Sequence, residues 1–433
     1  MAAEHSCPEA MGGSASERVD GGRPQQRACA SGCTDDRPRP LPVDSPCPHN
    51  SRSHADGREG LGVRIRADRP RTFHHSTSMR VLALLSSLIG LVATADARDW
   101  QIAPGGNVQY DWLRTDQDGT SRQWRNPRRT RLSAALKSTS GIDAKLEFDV
   151  HANTTTDAFL RWRGGGHAVR IGQYKQPMFL DELTPDRYTL FMEQGLPAAF
   201  ALARRLGLEY SRATATWRYS LSAFDGNLRG SQEGAGVVAR VVHTPWVDAG
   251  RVLHLGLSAA SESPDGGLAH LSSRVEQSGI GGTRLDTGSL VGVERIHRAG
   301  VEALWIAGPW TLQGEYLRAR LSRRGAADAD FSGWYLQAGC FVGGDRASYR
   351  DGAVDAPELG EDGRAFELAM RISDLDLNDA GVRGGKARNL TLGANWHLGR
   401  HLRLTANFVR VDGARGDAEV SPNVLEARLG LSF

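Results

Sequence analysis

Arginine is the residue type through which this chain could do chemistry, and that chemistry is the binding of anions. From residue 98 onward the sequence holds 41 Lys and Arg against 39 Asp and Glu, and only four of the basic residues are lysines. A guanidinium keeps its charge and can bind an oxyanion through two parallel hydrogen bonds. Arg129 and Arg131 share one face of a predicted strand, opposite Leu132 and Leu136.

Other kinds of chemistry find no support in residues 98–433. They contain no Walker A motif, no dinucleotide-binding glycines in context, no H-E-x-x-H and no G-x-S-x-G. Their balanced charge argues against a protein that binds nucleic acid, and Cys340 is their only cysteine. We therefore expect no enzymatic activity, no cofactor and no metal site.

The elements that must position the arginines are strands. About seventeen segments alternate apolar and polar residues, as in 129–138, 142–151 and 389–398, and one pair of them could merge. The spacing, roughly one strand per 20 residues, suits strands of about ten residues joined alternately by short turns and longer loops.

The two faces of these strands decide the fold class. In the segment 389–398 one face carries Leu390, Leu392 and Trp396, and the other carries Asn395 and His397. A closed barrel leaves no free edges and satisfies every backbone group, as lipid requires, whereas a sandwich of so many strands is improbable. The pattern predicts an all-β protein, a transmembrane antiparallel β-barrel of about 16 strands. Several aromatic residues near strand ends fit interfacial girdles: Tyr110, Trp112, Trp162, Trp310 and Trp396.

Three regions follow from composition. Residues 79–97 predict a secretory signal peptide, with an apolar run of fifteen residues that is short of a membrane-spanning helix and ends at Ala95-Asp96-Ala97. Residues 1–78 lack periodicity and predict a disordered extension upstream of the true start at Met79. A metal-binding tail through Cys29 and Cys33 is the alternative for that extension, without well-spaced histidines. Residues 98–433 form the predicted barrel.

Between Gln176 and Arg204 the alternation stops. This stretch has three prolines and a helix-like apolar spacing, and it is too long and too apolar for an ordinary surface loop. We expect it to fold into the barrel and narrow the lumen. The alternative is an external loop packed on itself.

The same stretch carries a family resemblance. Residues 170–210, from RIGQYKQPMFLDELTP to RRLGLEY, resemble the central signature of the phosphate-selective porins of the O and P type. The likeness continues through LQGEYLRARLSR (312–323), FSGWYLQAGCFVGGDRASYR (331–350) and LTLGANWHLGRHLRLTANFVRVD (390–412). It covers most of residues 107–433 and none of residues 1–97.

The resemblance implies a sixteen-stranded homotrimeric porin in the outer membrane of a Gram-negative bacterium, surrounded by lipid. Its third loop would fold into the pore, from about Pro177 to Ala203, and its cations would pass small anions such as phosphate or polyphosphate. The terminal strand ending in Phe433 would be recognised by the barrel-assembly machinery. No nucleic acid is implied as a partner.

The resemblance also gives the candidate pore-lining cations, to which the loop adds one of its own. These anion-binding candidates are Lys175, Arg187, Arg129, Arg131, Arg204 and Arg205. Rings of Arg or Lys in a narrow pore attract anions. The sequence departs from a strict phosphate channel because the loop also carries four carboxylates, Asp181, Glu182, Asp186 and Glu193, and because a lysine cluster is absent.

Two functional hypotheses stay open. The first is a passive anion-preferring porin, or a general or weakly selective porin for other small solutes. The second is a structural or adhesion barrel plugged by residues 176–204. An outer-membrane enzyme is a distant third, because the sequence offers no nucleophile paired with a base.

Overall fold

The computed structural model describes residues 100–231, 234–248, 250–278 and 284–433. The predicted extension (1–78) and signal peptide (79–97) lie outside these ranges. Helical structure in the described residues is limited to α1 (Leu180–Leu183) and 3-10 helices at Leu196–Phe200 and Asp265–Gly267. None of the helices in this part of the chain is long and apolar enough to cross a membrane.

Sixteen antiparallel strands form one closed barrel, as predicted. They are β1 (Trp100–Gln117), β2 (Thr120–Ser138), β3 (Ile142–Asp149), β4 (Thr154–Gly164), β5 (His167–Lys175), β6 (Arg204–Ala213), β7 (Trp217–Phe224), β8 (Ala235–Asp248), β9 (Arg251–Ser263), β12 (Val293–Ala307), β13 (Trp310–Arg323), β14 (Ala329–Val342), β17 (Arg364–Asp379), β18 (Val382–Leu398), β19 (Leu402–Arg415) and β21 (Asn423–Ser432). The short strands are β10 (Ser272–Ser273) with β11 (Leu285–Asp286), β15 (Arg346–Arg350) with β16 (Ala353–Glu358), and β20 (Ala418–Glu419) beside β19.

The barrel closes between its first and last strands. The register of β1 with β21 runs from Asn107 opposite Ser432 to Asp116 opposite Asn423. Beyond it, the Gly106 N–H donates to the Phe433 carbonyl at 2.8 Å and the Phe433 N–H donates back at 3.1 Å. Because both edges are paired, the sheet leaves no free seam along these strands.

Alternation along the strands matches the two predicted faces. In β18 the side chains of Leu392 and Trp396 are 48% and 45% exposed on the outside, whereas Asn395 and Thr391 on the inside are fully buried. Of the five aromatic residues predicted for girdles, Tyr110, Trp162, Trp310 and Trp396 are exposed and Trp112 is half-buried.

The seventeen candidate segments reduce to sixteen strands because two of them are continuous. Two of the alternating segments are 289–296 and 300–307, and the structure places residues 293–296 of the first and all of the second in the single strand β12, whose pairing with β9 continues across Gly300. A glycine in the middle of an alternating pattern therefore did not end the strand.

The two ends of the barrel differ in their connections. One end has turns of two or three residues, such as 165–166 and 399–401, together with the last residue of the barrel sequence, Phe433. It also carries one long connection, residues 343–363, which contains the β15–β16 hairpin. The opposite end carries the longer connections 176–203 and 264–292. Short turns mark the periplasmic end of such barrels and longer loops the external end.

Part of the interior is an apolar core rather than a polar wall. On β13 the side chains of Leu317 and Leu321 are buried inside the barrel, while Arg318 and Arg320 face outward. Phe179 and Phe200 of the 176–203 segment belong to the same buried cluster as those leucines. The alternation predicted a strand here correctly, but its apolar inner face is covered by connecting segments and not by water.

Candidate functional site

A β-bulge in β2 sets the orientation of its arginines. Gln109 of β1 lies opposite Arg129 and Tyr110 lies opposite Pro127, so Arg128 is the extra residue. A bulge bends the strand and redirects side chains, and here both Arg128 and Arg129 reach the 176–203 segment. Arg128 lies 2.9 Å from Glu193 and Arg129 lies 3.1 Å from Asp186.

Asp186 is the anion on which several predicted cations converge. Its carboxylate lies 2.6 Å from Arg131 Nη1, 3.1 Å from Arg129 Nε and 3.8 Å from Lys175 Nζ. Burial alone would raise the pKa of Asp186, but Arg129, Lys175 and Arg131 together hold that pKa well below its ordinary value. Asp186 therefore stays ionised and offsets part of the positive charge.

Lys175 and Arg204 face each other where β5 ends and β6 begins. The Lys175 ammonium donates to the Glu182 carbonyl, which ties it to the 176–203 segment. Arg204 Nε donates to Asp157 of β4 at 2.7 Å, and its guanidinium lies 3.8 Å from Glu147. Both cations are thus compensated, one by the segment and one by the barrel wall.

Glu193 is a second carboxylate of the segment held between cations. Arg428 of β21 lies 3.1 Å from it and also pairs with Asp111 at 2.7 Å. Burial would raise the pKa of Glu193, but Arg128 and Arg428 lower it to about 2. Sequence reasoning did not single out Arg428, although it lies on the polar face of the predicted terminal strand.

These residues enclose a narrow space, which we call the constriction cluster: Arg128, Arg129, Arg131, Lys175, Arg204, Asp186 and Glu193. A cavity of about 130 Å³ lies among six of them, all except Lys175. Four of the six predicted cations, Lys175, Arg129, Arg131 and Arg204, are brought together here.

Arg205 lies in a different group. Its guanidinium is 2.7 Å from Glu262 of β9, and both side chains are about 3% exposed. Arg298 of β12 pairs with the same carboxylate, and the ring of Phe224 lies 5.5 Å from the Arg205 guanidinium carbon. Arg205 therefore stabilises the barrel wall instead of joining the constriction cluster.

Arg187 faces a larger space. It is exposed, its guanidinium carbon lies 5.0 Å from the centre of the Tyr188 ring, and its backbone carbonyl accepts a hydrogen bond from Arg403 at 2.9 Å. Arg187 lines a cavity of about 680 Å³ that shares Asp186 and Met192 with the constriction cavity. Arg187 and Arg205 thus lie outside the constriction cluster, and of the two only Arg187 is close to it.

Hydrogen bonds fix the 176–203 segment to inner-face side chains on five strands. The N–H groups of Leu180 and Asp181 donate to Glu315 of β13 at 2.7 and 2.8 Å. Three strands further along the sheet, Asn395 of β18 donates to the Leu190 carbonyl at 2.9 Å. Further donors on other strands are Arg371 to Glu193 O, Arg403 to Thr189 O and Arg428 to Met192 O.

Glu276 joins this segment to the connection 264–292. Its carboxylate accepts from Arg371 at 2.7 Å, from Thr391 at 2.8 Å and from the Leu196 N–H at 3.2 Å. Val275 and Glu276 adopt φ of 49° and 63°, a left-handed conformation that is costly for a β-branched residue. The contacts of Glu276 offset that strain and hold both connections against the wall.

The β15–β16 hairpin enters the barrel from the end with short turns. The Tyr349 hydroxyl lies 2.7 Å from His254 Nδ1, and Asp351 pairs with Arg218 at 2.8 Å. Arg240 of β8 donates to the Gly352 carbonyl at 3.1 Å. The hairpin therefore covers the inner face of β7 to β9 and leaves the 680 Å³ cavity on the other side of the barrel.

The site has the chemistry of fixed charge. In the residues that the structure describes, no group of three or more His, Cys, Asp or Glu side chains is arranged to hold a metal ion. Its functional groups are guanidinium, ammonium and carboxylate groups held in ion pairs, which can attract, retain or repel small ions.

Two comparisons of sequence bear on this arrangement. Residues 102–433 match the family model described as phosphate-selective porin O and P. Porin O of Pseudomonas aeruginosa is 23% identical over 373 residues, which cover 74% of this chain and 84% of that protein. An uncharacterized protein of Caulobacter vibrioides is 30% identical over 337 residues, with 71% and 68% covered.

Solved structures share the fold. An anion-selective porin from Comamonas acidovorans superposes with a TM-score of 0.52 at 15% identity and covers 77% of this chain and 100% of its own. The trimer form of OmpT, an outer membrane protein of Vibrio cholerae, gives a TM-score of 0.53 at 12% identity with the same coverage. At these identities the likeness concerns the barrel alone.

Proposed function

Because the chain belongs to the family of phosphate-selective porins O and P, and is thus an outer-membrane channel, we propose that it passes small anions by passive diffusion. Phosphate or polyphosphate is the proposed cargo, in keeping with the family description. Export through the signal peptide 79–97, insertion into lipid through the barrel-assembly machinery and assembly as a homotrimer are part of the proposal. The trimeric Vibrio cholerae neighbour supports the last of these.

The observation that carries the proposal is the convergence of Arg129, Arg131 and Lys175 on Asp186. Cations held in a narrow, partly dehydrated space act on passing ions far more strongly than they would in bulk water. The 176–203 segment brings its own carboxylates to the same space, and we propose that it forms the constriction of the pore.

The ion pairs also limit the selectivity that we propose. Every cation of the constriction cluster has a carboxylate within 4 Å, so the net charge that an anion meets is small. Conduction needs a site weak enough to release the ion. A modest anion preference, close to that of a general porin, fits this compensation better than tight phosphate binding.

A plugged structural barrel is the second candidate, and one observation favours it. Two connections and the β15–β16 hairpin all contact the inner face and bury several of its side chains, including Arg371 and Glu315. Conductance separates the candidates, because a plugged barrel carries no steady ion current.

The test is electrical. The purified channel is inserted in planar bilayers, and its reversal potential is measured across a KCl gradient. A potential of the sign set by chloride supports anion preference, and a falling chloride current as phosphate is titrated in supports a phosphate site. Absence of current from protein that migrates as a folded barrel on unboiled gels would contradict the channel and favour the plugged barrel.

A further inference from the structure

The large cavity on the side of the short turns is built differently from the constriction cluster. We call it the vestibule: the space of about 680 Å³ between residues 186–192, residues 356–363 and the adjoining ends of β18, β19, β21 and β1. Asp186 and Met192 line it together with the smaller cavity. An ion that leaves the constriction therefore enters the vestibule next.

The vestibule holds arginines outside any ion pair, although the carboxylates of Asp186, Glu358 and Glu361 also line it. Among the described residues, no carboxylate lies within ion-pairing distance of Arg187, Arg400 or Arg403, and all three line the cavity. The two terminal nitrogens of Arg403 donate hydrogen bonds to the backbone carbonyls of Arg187, at 2.9 Å, and Thr189, at 2.6 Å. Its Nε is buried without a hydrogen-bond partner. A guanidinium bonded to carbonyl groups alone has no counter-charge in contact with it, so these arginines are free to pair with an anion that enters the vestibule.

The walls around these charges are partly apolar. The half-buried Tyr188 lines the cavity from the 176–203 segment, and the half-buried Pro357 and Leu359 line it from the 343–363 connection. Apolar side chains in contact with water gain free energy when a solute covers them. The vestibule therefore offers both a charge and a surface for an apolar body.

The size of the space selects between kinds of anion. A cavity of about 680 Å³ lies in the range that encloses small organic ligands. A bare inorganic anion would keep much of its water there and leave the apolar wall uncovered. An organic anion can place its charged group at the arginines and its body against Tyr188 and Leu359.

We propose that the vestibule is a binding site for organic anions that carry an apolar or aromatic body, such as aromatic carboxylates. The carboxylate pairs with the exposed guanidinium of Arg187 within the field of Arg403 and Arg400. The ring packs on the apolar wall formed by Tyr188, Pro357 and Leu359. This inference rests on the proposed function, since it requires an open anion-preferring channel, and it names a substrate class beyond phosphate.

The experiment compares blockers of the chloride current through the purified channel in planar bilayers. Benzoate, acetate and inorganic phosphate are added in turn from each side at pH 7.5. We expect benzoate to reduce the current at a concentration about tenfold below that of acetate, which has the same charged group and no ring. Arg187→Gln should raise the half-blocking benzoate concentration by about tenfold, as expected for one lost bond to a charged group.

A matched variant controls for charge. Arg251→Gln removes an exposed arginine that lies at the same end of the barrel outside the vestibule, and it should leave benzoate block unchanged. Tyr188→Val should weaken block by benzoate and not by phosphate. Arg403→Gln disturbs the carbonyl contacts of the 176–203 segment, so Arg187→Gln is the deciding variant.

The outcomes separate the two proposals. A channel that prefers anions yet is blocked equally by benzoate and acetate, or whose Arg187→Gln variant keeps the benzoate block, overturns the vestibule site alone. A reversal potential of the cation-selective sign overturns the proposed function. Block by phosphate at lower concentrations than benzoate places the affinity in the constriction cluster and likewise overturns the vestibule site.

Discussion

Arg131 Nη1 lies 2.6 Å from Asp186 Oδ2, and this ion pair joins the barrel wall to the 176–203 segment. Arg131 also lies 3.3 Å from Asp149, so it bridges a carboxylate of the wall and one of the segment. The arginine therefore positions the segment and sets the charge of the constriction at the same time. Substitutions of the carboxylate Asp186 and of the cations Arg129 and Arg205 test charge and structural support separately.

Asp186→Asn should strengthen anion preference. The change removes the negative charge to which Arg129, Arg131 and Lys175 are paired. We expect the ratio of chloride to potassium permeability to rise by about tenfold, the order of effect of one charge at an effective dielectric constant near 20. Reversal potentials in a KCl gradient measure it.

The control for Asp186→Asn is Asp328→Asn, which neutralises an exposed carboxylate paired with Arg320. It should leave the permeability ratio as it is. An equal change in both variants would show that the effect comes from overall charge and not from the constriction cluster.

Arg129→Gln and Arg205→Gln should act on different properties. Arg129 belongs to the constriction cluster, so its loss should lower the anion preference with little effect on the folded barrel. Arg205 is buried beside Glu262, and its loss should cost about 3 kcal/mol, because a buried carboxylate loses one of its partners. Unboiled gels at rising temperature report the second effect, and reversal potentials report the first.

Glu276→Ala should loosen both connections that it holds. Its carboxylate accepts hydrogen bonds from Arg371, Thr391 and the Leu196 N–H, and Arg371 would remain buried without its counter-charge. We expect a loss of about 3 kcal/mol in the packing of the connections, with larger single-channel conductance and more current fluctuations. Glu294→Ala, at an exposed pair with Arg324, should show neither change.

The 176–203 segment should loosen as pH rises from 5 to 7. Burial raises the pKa of Asp181 to about 6, partly opposed by Arg371 and aided by Glu276 and Glu182, from an ordinary value of 3.8. Because the folded pKa is the higher one, the stability from the protonated form is complete below about pH 4 and is lost as pH passes 6. Current fluctuations should therefore increase over that range.

Asp181→Asn removes the titration and retains an oxygen for the Gly195 N–H, which now donates to Asp181 at 3.0 Å. Its fluctuations should stay at the low-pH level of the unmodified channel at every pH. Pronounced pH dependence in this variant would assign the effect to another group, with Glu315, which faces Asp181, as the next to change.

The sequence predicted the barrel better than it predicted the interior. Alternation in β18 identified strand and faces, because a barrel wall separates lipid from the inside at every second residue. It could not show that Leu317 and Leu321 face inward while Arg318 faces outward, since the covering residues Phe179 and Phe200 lie more than a hundred positions away.

The site residues show the same limit. Arg204 and Arg205 are adjacent, yet one pairs with Asp157 and the other with Glu262, partners chosen by the closure of the sheet. Arg403 contacts the 176–203 segment across more than two hundred residues, so no local pattern could have indicated it.

Side chains on seven strands hold the 176–203 segment, from Arg128 of β2 to Arg428 of β21. The segment thus connects parts of the barrel wall that are far apart around its circumference. Shortening it to obtain a wider pore would remove some of the partners of arginines on several strands, such as the Glu193 carbonyl bonded to Arg371 and the Met192 carbonyl bonded to Arg428. A variant engineered to have a wider pore would need substitutions of those arginines as well as a shorter segment. The contacts that narrow the lumen are also the contacts that stabilise the barrel wall.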